Sequence, residues 1–320
     1  MVKNIELINI FEELSRAKSV VVMPHIRPDG DSVGAAGALC LALRDAGVDS
    51  WVYTTTPTPK FADFLNPSMF TDDFDRIPNP DICVAVDCSD RQRLDERYAI
   101  FEKAKCTYTI DHHIQKEGFG DFYYIDEREP AASSIIYKIL VQAGCEISDE
   151  IAKYLYVGIS MDTGNFQYSN TTSEVMRIAA DLIETGIDHQ EIIINIYQNH
   201  RIEELRCKSK AIEQMELFAN GQIAISYLTN RDLEEINATL RDTDDVINAL
   251  RDISGVEVAV FLSEADGKTK ASMRSKTKVD VSKICKDLGG GGHVRAAGAP
   301  MDMNIADAKA TLSKLIEAAL

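Results

Sequence analysis

The sequence predicts an α/β fold: a mostly parallel sheet with flanking helices in the N-terminal part, followed by a smaller α/β domain. Three observations carry this expectation. Residues 20–23 (Val-Val-Val-Met) and 82–86 (Ile-Cys-Val-Ala-Val) are unbroken apolar runs, as in strands buried on both faces. Stretches with helical spacing separate such runs along the first half of the chain. Beyond Gly221 the texture changes to strand-like segments joined by a hairpin signal, which marks a second domain.

Taken in order, residues 3–16 place Ile5, Ile8, Ile10, Phe11 and Leu14 at helical spacing and predict an opening helix. Residues 19–24 predict a buried strand, and the small-residue run 34–43, closed by Gly47, predicts a helix. Residues 82–87 and 107–110 predict two more buried strands, leading to Asp87 and Asp111. Segments 132–143 and 149–161 read as helices. Residues 172–215 are helical, polar on one side and free of proline, and predict a passage between domains. Residues 222–228 and 256–262 read as strands, the second running through the turn signal Asp266-Gly267 into 270–274. A short helix leads to the glycine run 289–292, and 305–319 predicts a closing helix. The expected division is 1–190, a helical linker 191–215, and 216–320.

The 320 residues suit two domains of ordinary size, and 45% hydrophobic with 27% charged residues is the mix of a globular protein. No apolar run is long enough to span a bilayer, and the N-terminus lacks a basic-then-apolar leader, so the cytoplasm is the default location. The seven cysteines are odd in number and include no CxxC pair, which suits neither a disulfide framework nor a zinc knuckle. A net charge of −17 argues against coating duplex DNA or long RNA, because such binding leans on basic surface. It leaves room for a small phosphorylated substrate drawn in by metal ions and a few arginines.

Five constellations carry chemistry. His25-Ile26-Arg27-Pro28-Asp29-Gly30-Asp31 follows one strand and precedes a helix, so one imidazole and two carboxylates converge at the mouth of the sheet. In an extended turn Asp29 and Asp31 would both face inward, with Gly30 allowing a tight backbone. Asp29 as a turn residue and Asp31 as a helix N-cap is an equally good reading of that segment alone. Asp87 closes an otherwise apolar strand, where a carboxylate is costly unless paired or metal-bound. Asp90 reads as a helix cap. Asp111-His112-His113 stands at a third strand end, and adjacent histidines there should serve different roles. Asp162 ends a helix, where a carboxylate is poorly placed against the dipole unless a cation is near. Finally, Gly289 to Gly292, His293 and Arg295 combine backbone N–H groups and a guanidinium suited to phosphate, with Arg274 as a second candidate that reads equally well as an exposed strand charge.

With these residues assembled, the chain resembles the DHH phosphoesterase family over nearly its whole length, in the ordered motifs at His25/Asp29/Asp31, Asp87, Asp111-His112-His113, Asp162 and Gly290 to Gly298. The resemblance implies two divalent cations, of the Mn²⁺ type. His25, Asp29 and Asp87 would hold the first; Asp31, Asp87, His112 and Asp162 the second, with Asp87 bridging. It implies that His113 touches the phosphate or protonates the leaving group, and that Asp111 orients its neighbours. Arg274, Gly291, Gly292, His293 and Arg295 would hold the substrate in the family's partner domain. Length and domain order resemble the subgroup that cleaves very short oligoribonucleotides and dinucleotides and also dephosphorylates 3′-phosphoadenosine 5′-phosphate (pAp). Cleavage of pApA or cyclic dinucleotides, polyphosphate or pyrophosphate hydrolysis, a non-catalytic nucleotide sensor and a phosphate-binding module are the competing expectations. No long duplex and no membrane is expected as a partner; a homodimer is the default for a soluble enzyme.

Overall fold

Neighbouring side chains on a strand turn to opposite faces, so a strand covered on both sides has no polar face to show. The computed structural model describes residues 3–56, 58–113, 118–265 and 268–320. Two compact units divide it, Met1–Gln198 and Asn199–Leu320.

The first unit holds seven strands: β1 (Lys3–Asn4), β2 (Ser19–Pro24), β3 (Asp49–Tyr53), β4 (Phe70–Thr71), β5 (Ile82–Val86), β6 (Cys106–Asp111) and β7 (Phe122–Ile125). All pair in parallel, in the order β1-β7-β6-β5-β2-β3-β4. Its helices are α1 (Leu7–Ser15), α2 (Gly30–Asp45), α3 (Tyr98–Phe101), α4 (Ala132–Gln142), α5 (Asp149–Asp162), α6 (Ser173–Glu184) and α7 (His189–Tyr197). Val20, Val22, Val84 and Val86 join the core beneath α1, α2, α4 and α5. Val21, Met23, Cys83 and Ala85 join Tyr53, Leu94 and Phe101 on the other face. Strand order reverses between β2 and β5, so the carboxyl ends of these two strands flank the crevice where α/β sheets bind ligands.

Three features depart from the expected layout. The opening helix starts only at Leu7, because Lys3 and Asn4 pair with β7 as an edge strand. Strands β3, β4 and β7 were not anticipated; they are short or of mixed polarity, and their pairing comes from tertiary context. Helix α2 begins at Gly30 rather than residue 34, with Asp29 as its N-cap accepting from the Ser32 N–H. The glycines of α2 and α5 are packing residues: a methyl at Gly34 would meet Tyr154 O at 2.5 Å, one at Gly37 the Tyr154 ring at 2.4 Å, and one at Gly158 Ser133 Oγ at 1.9 Å. Gly30 likewise lies against Met161, whose Sδ would be 2.2 Å from an added methyl, so close helix packing rather than a turn demands glycine there.

The second unit contains α8 (Ile202–Glu213), β8 (Glu216–Phe218), β9 (Ile223–Leu228), α9 (Asn230–Glu235), α10 (Val246–Arg251), β10 (Val258–Ala265), β11 (Lys268–Ser275), α11 (Val281–Asp287), β12 (Gly291–His293), β13 (Ala296–Met301) and α12 (Ile305–Glu317). The sheet order is β12-β13-β11-β10-β9-β8, antiparallel except for β9 with β10. Ile225, Val260, Leu262 and Met273 pack with Ile284 of α11 and Leu312 and Ile316 of α12. Ala224, Ala259 and Phe261 pack with α8 and α10. The stretch expected as a linker is divided: Ile192 of α7 belongs to the first core, whereas Cys207 and Ala211 of α8 are fully buried in the second. The expected turn residues Asp266 and Gly267 lie outside the described residues, between the paired strands β10 and β11. Among the described residues no helix is long and apolar enough to cross a membrane.

Candidate metal centre and substrate face

Each acid and imidazole of the first unit is set by the end of a regular element. His25 follows β2, Asp87 follows β5, Asp111 ends β6 with His112 and His113 next, Asp29 and Asp31 open α2, and Asp162 ends α5. The structure brings all of them together. His25, Asp29 and Asp87 form one group, Asp31, His112 and Asp162 a second, and Asp87, Asp111, His112 and His113 a third. Asp31 is buried in the first turn of a helix, whereas Asp29, its N-cap, is exposed and reaches His25 from the solvent side; neither lies in the extended turn expected. Asp87 adopts φ +55°, a conformation that aspartate tolerates better than most residues and that turns the chain sharply at the strand end.

The hydrogen bonds assign the histidine protons. His25 Nδ1 lies 2.8 Å from Ile26 O, and His112 Nδ1 lies 3.2 Å from Glu129 O. A carbonyl only accepts, so both Nδ1 atoms carry hydrogen and both Nε2 atoms face the acids. His25 Nε2 is 3.4 Å from Asp29 Oδ2 and 3.6 Å from Asp87 Oδ2. His112 Nε2 is 3.7 Å from Asp31 Oδ2, 3.5 Å from Asp87 Oδ1 and 3.5 Å from Asp162 Oδ2. A lone pair opposite a carboxylate is repulsive unless a proton or a cation stands between them. These separations are long for a hydrogen bond; two donors each about 2.1 Å from one ion sit roughly 3.0–3.4 Å apart. Asp87 Oδ1 is buried with no hydrogen-bond partner, and the two oxygens of this carboxylate address different histidines.

The electrostatics agree with the geometry. Burial, then the charge of Asp87, pushes the Asp31 carboxyl up to about 6. Burial and the charges of Asp31 and Asp87 raise Asp162 well above the carboxylate range. Burial acts to lower His112, but Asp87, Asp31 and Asp162 outweigh it and raise the imidazole well above its ordinary value; His25 rises likewise through Asp29 and Asp87. Asp31 and Asp162 are driven to hold protons and the imidazoles to gain them, as in a site short of positive charge, whereas His25 and Ser32 outweigh desolvation at Asp29 and hold its carboxyl below the usual range.

His113 differs from His112. Its Nδ1 lies 2.7 Å from Asp111 Oδ1, which also accepts the His112 and His113 backbone N–H groups at 2.8 and 3.3 Å. Asp111 is fully buried, and despite that burial its carboxyl is held below the usual range by these partners. Asp31 also reaches the start of α4, where its oxygens accept from Ala132 N at 2.5 Å and Ser133 N at 2.8 Å. Asp90 caps the 3₁₀ turn at Arg91–Arg97, as expected, accepting from Gln92 N at 2.8 Å.

In the second unit, Arg274 is half-buried on β11 and donates to Met273 O at 3.0 Å. Arg295 donates to Val279 O at 3.1 Å and to Thr277 O, which ties its guanidinium to the backbone of the 277–279 loop. The glycine run, expected as a loop, is one only at Gly289 and Gly290; Gly291 and Gly292 belong to the edge strand β12 against β13. A methyl at Gly290 would lie 2.1 Å from Gly298 O and one at Gly292 2.5 Å from Ala296 O, whereas Gly291 has open space around it. The His293 side chain lies outside the described residues, although its backbone pairs with Ala296.

Three contributors escaped the sequence. The carbonyls of Ile26 and Glu129, which set the histidine tautomers, carry no residue signature. Arg97, 1% exposed, donates through one nitrogen to Pro24 O at 2.8 Å and Tyr53 O at 2.7 Å, fastening the ends of β2 and β3 next to His25. Nothing in its polar surroundings marks it as buried.

Comparisons with known proteins identify the family. The DHH family, N-terminal domain, matches residues 19–159, and the DHHA1 domain matches 220–320. The bifunctional oligoribonuclease and PAP phosphatase NrnA of Thermus thermophilus is 30% identical, covering 88% of this chain and 84% of its own. The Bacillus subtilis protein of the same name is 25% identical over 91% of each. An exopolyphosphatase-related protein from Bacteroides fragilis has the same fold, with a TM-score of 0.91, 24% identity and coverage of 97% and 95% of the two chains. RecJ from Thermus thermophilus, solved with Mn²⁺, aligns at a TM-score of 0.58 and 15% identity over 98% of this chain and 54% of its own. With its acid–imidazole cluster at the sheet's switch point and both domain patterns in order, the chain belongs to the DHH family of phosphoesterases.

Proposed function

We propose that this protein is a divalent-metal-dependent phosphoesterase that hydrolyses very short oligoribonucleotides and dinucleotides to mononucleotides and removes the 3′-phosphate of pAp. The observation that carries the reading is the pair of imidazole Nε2 atoms aimed at four carboxylates, with a buried Asp87 oxygen that lacks any hydrogen bond. The NrnA relatives supply the substrate class.

His25, Asp29 and Asp87 would hold one cation, and Asp31, Asp87, His112 and Asp162 the other. Oxygen and imidazole donors without thiolate suit Mn²⁺. When bound, such a pair supplies activation of a water and neutralisation of phosphoryl charge. Asp111 holds the Nδ1–H of His113, so the proton passed to the departing ribose oxygen would travel through His113 Nε2. The first unit is the catalytic domain in this reading. The second presents Arg274, Gly291, Gly292, His293 and Arg295 to the substrate's phosphate or terminal nucleotide. The acidic chain, at −17, offers little footing for a long strand or duplex. All seven cysteines are free thiols, which suits a reducing compartment, the cytoplasm.

One panel tests the reading: dinucleotide RNA, a 20-mer, pAp, cyclic di-AMP and pyrophosphate, each with Mn²⁺ and with EDTA. Turnover of the dinucleotide and pAp is expected with Mn²⁺ and none with EDTA. Full activity in EDTA overturns the metal assignment, and preference for the 20-mer, cyclic di-AMP or pyrophosphate overturns the substrate assignment. At an ion concentration about a hundredfold above Kd, loading should stabilise the fold by roughly 2.7 kcal/mol.

A further inference from the structure

Arg97 is buried to 1% exposure, and among the described residues it forms no ion pair. Burial lowers its guanidinium from the ordinary value, and the nearby acids Asp95 and Glu96 do not offset it. A buried charge without a counter-ion is costly, and an apolar side chain of similar volume would fill the same space more favourably. In place of an acid, Arg97 has main-chain oxygens. Its Nη1 donates to Pro24 O at 2.8 Å and Tyr53 O at 2.7 Å, and its Nε to Leu94 O at 3.2 Å. Nη2 is buried with no hydrogen-bond partner.

These acceptors surround one residue. Pro24 precedes His25 at the end of β2, and Tyr53 ends the neighbouring β3. On the other side of His25, Ile26 N donates to Arg93 O at 2.8 Å, and Arg93 adjoins Leu94 in the turn Arg91–Arg97. The turn therefore grips the chain at both residues flanking His25, once through a backbone amide and once through the guanidinium. His25, 4% exposed, has its Nδ1 2.8 Å from Ile26 O, so the same grip aims its Nε2. The other ligands are held elsewhere. His112 Nδ1 lies against Glu129 O, Asp31 accepts from Ala132 N and Ser133 N, and Asp87 N donates to Ile110 O of β6 at 3.0 Å. None of these bonds involves residues 91–97.

We propose that Arg97 is the positioning residue of the first cation site: it holds His25 Nε2 toward Asp29 and Asp87 and sets the affinity of that site without setting that of the second. This inference rests on the two-cation phosphoesterase reading above. A guanidinium suits the task because its planar fork meets carbonyls on three separate segments at fixed angles.

The test is calorimetric titration of the EDTA-stripped full chain with Mn²⁺. In Arg97→Met, affinity at the first site should fall about 10–100-fold, the usual effect of losing a partner that orients a metal-binding imidazole. The second ion should bind as in the wild type. Arg97→Lys keeps the charge and a donor, so it should lose less; it carries the same asymmetry to measure where Arg97→Met does not fold. At a Mn²⁺ concentration that fills both wild-type sites, electron paramagnetic resonance should show a coupled pair in the wild type and an isolated ion in Arg97→Met. His25→Ala marks the first site by removing it. Added to His25→Ala, Arg97→Met should leave the affinity of the remaining ion unmoved, because the two residues act as one. Equal weakening of both sites, unchanged affinities, or a further loss on the His25→Ala background overturns the positioning role alone. A wild type that binds fewer than two Mn²⁺ ions overturns the phosphoesterase reading and this role with it.

Discussion

Each unit buries a carboxylate, and the two are treated in opposite ways. Glu257, 8% exposed, accepts the backbone N–H groups of Thr277, Lys278 and Val279 at 3.0, 2.5 and 3.1 Å and the Thr277 hydroxyl at 2.7 Å. Burial alone would raise its carboxyl, but these bonds hold it below the ordinary value. Asp87, 2% exposed, leaves Oδ1 without a hydrogen bond and is ringed by His25, His112 and His113 at 3.4–3.6 Å. A buried acid saturated with N–H donors belongs to the architecture; one left unsatisfied among imidazoles is, on the function proposed above, kept for a cation. Composition does not separate them, since both are acids beside apolar strands. Hydrogen-bond inventory does.

The largest effect expected from breaking this contrast is at Asp87. Asp87→Asn keeps a residue that tolerates φ +55° and removes the shared charge. Phosphoester hydrolysis should fall on the order of 10³-fold, comparable to deleting a principal electrostatic stabiliser. The metal-free variant should melt above the metal-free wild type, because one of the crowded acids is gone. Retained activity, or a lower melting point without metal, would break the assignment of Asp87 as a charge reserved for cations.

Next comes His113→Ala. If His113 transfers the proton as proposed, its loss should lower kcat by about 10²–10⁴-fold, while calorimetric titration with Mn²⁺ should give stoichiometry and affinity close to wild type. Loss of metal binding would instead make His113 a ligand.

The smallest and most discriminating comparison is pH dependence. In EDTA-treated protein, Asp31 titrates near 6 when folded and near 3.8 when unfolded, so the folded form binds the extra proton. Stability of the metal-free first unit should therefore rise as pH falls from about 6 to 4. Glu257 runs the other way: its folded value lies below 4.5, so its contribution is present above that pH and lost as pH falls through the folded value. Glu257→Gln should cost about 1–3 kcal/mol near neutral pH, the penalty for stranding buried N–H groups. It should also loosen the 277–279 carbonyls that hold Arg295. Chemical denaturation from pH 7 down to about pH 3, with and without metal, reads all of these, and parallel pH trends in the two units would erase the contrast.

Much of the site was legible because charge at the end of an apolar strand is expensive. Asp87 and Asp111-His112-His113 stood out for that reason, and their meeting with His25 and Asp162 follows from strand order reversing between β2 and β5. What stayed hidden depends on backbone atoms. The carbonyls that set the His25 and His112 tautomers, the Arg97 bridge between Pro24 and Tyr53, and the flat packing of Gly290 and Gly292 on β13 all use groups that every residue has. Strands β1, β3, β4 and β7 were missed because each has only two to five residues, too few to show a period.

The N-cap of helix α4 is Ala131, whose methyl cannot accept from the helix amides, and Asp31 supplies the missing acceptor from α2. The oxygen that faces His112, Oδ2, is therefore the one that holds the amide hydrogen of Ala132, while Oδ1 holds that of Ser133. A cation drawing on the Oδ2 lone pairs competes with the Ala132 amide for the same electrons. Deuterium uptake at residue 132, compared with residue 133, would thus gauge ion occupancy, readable in the resting protein with no substrate present.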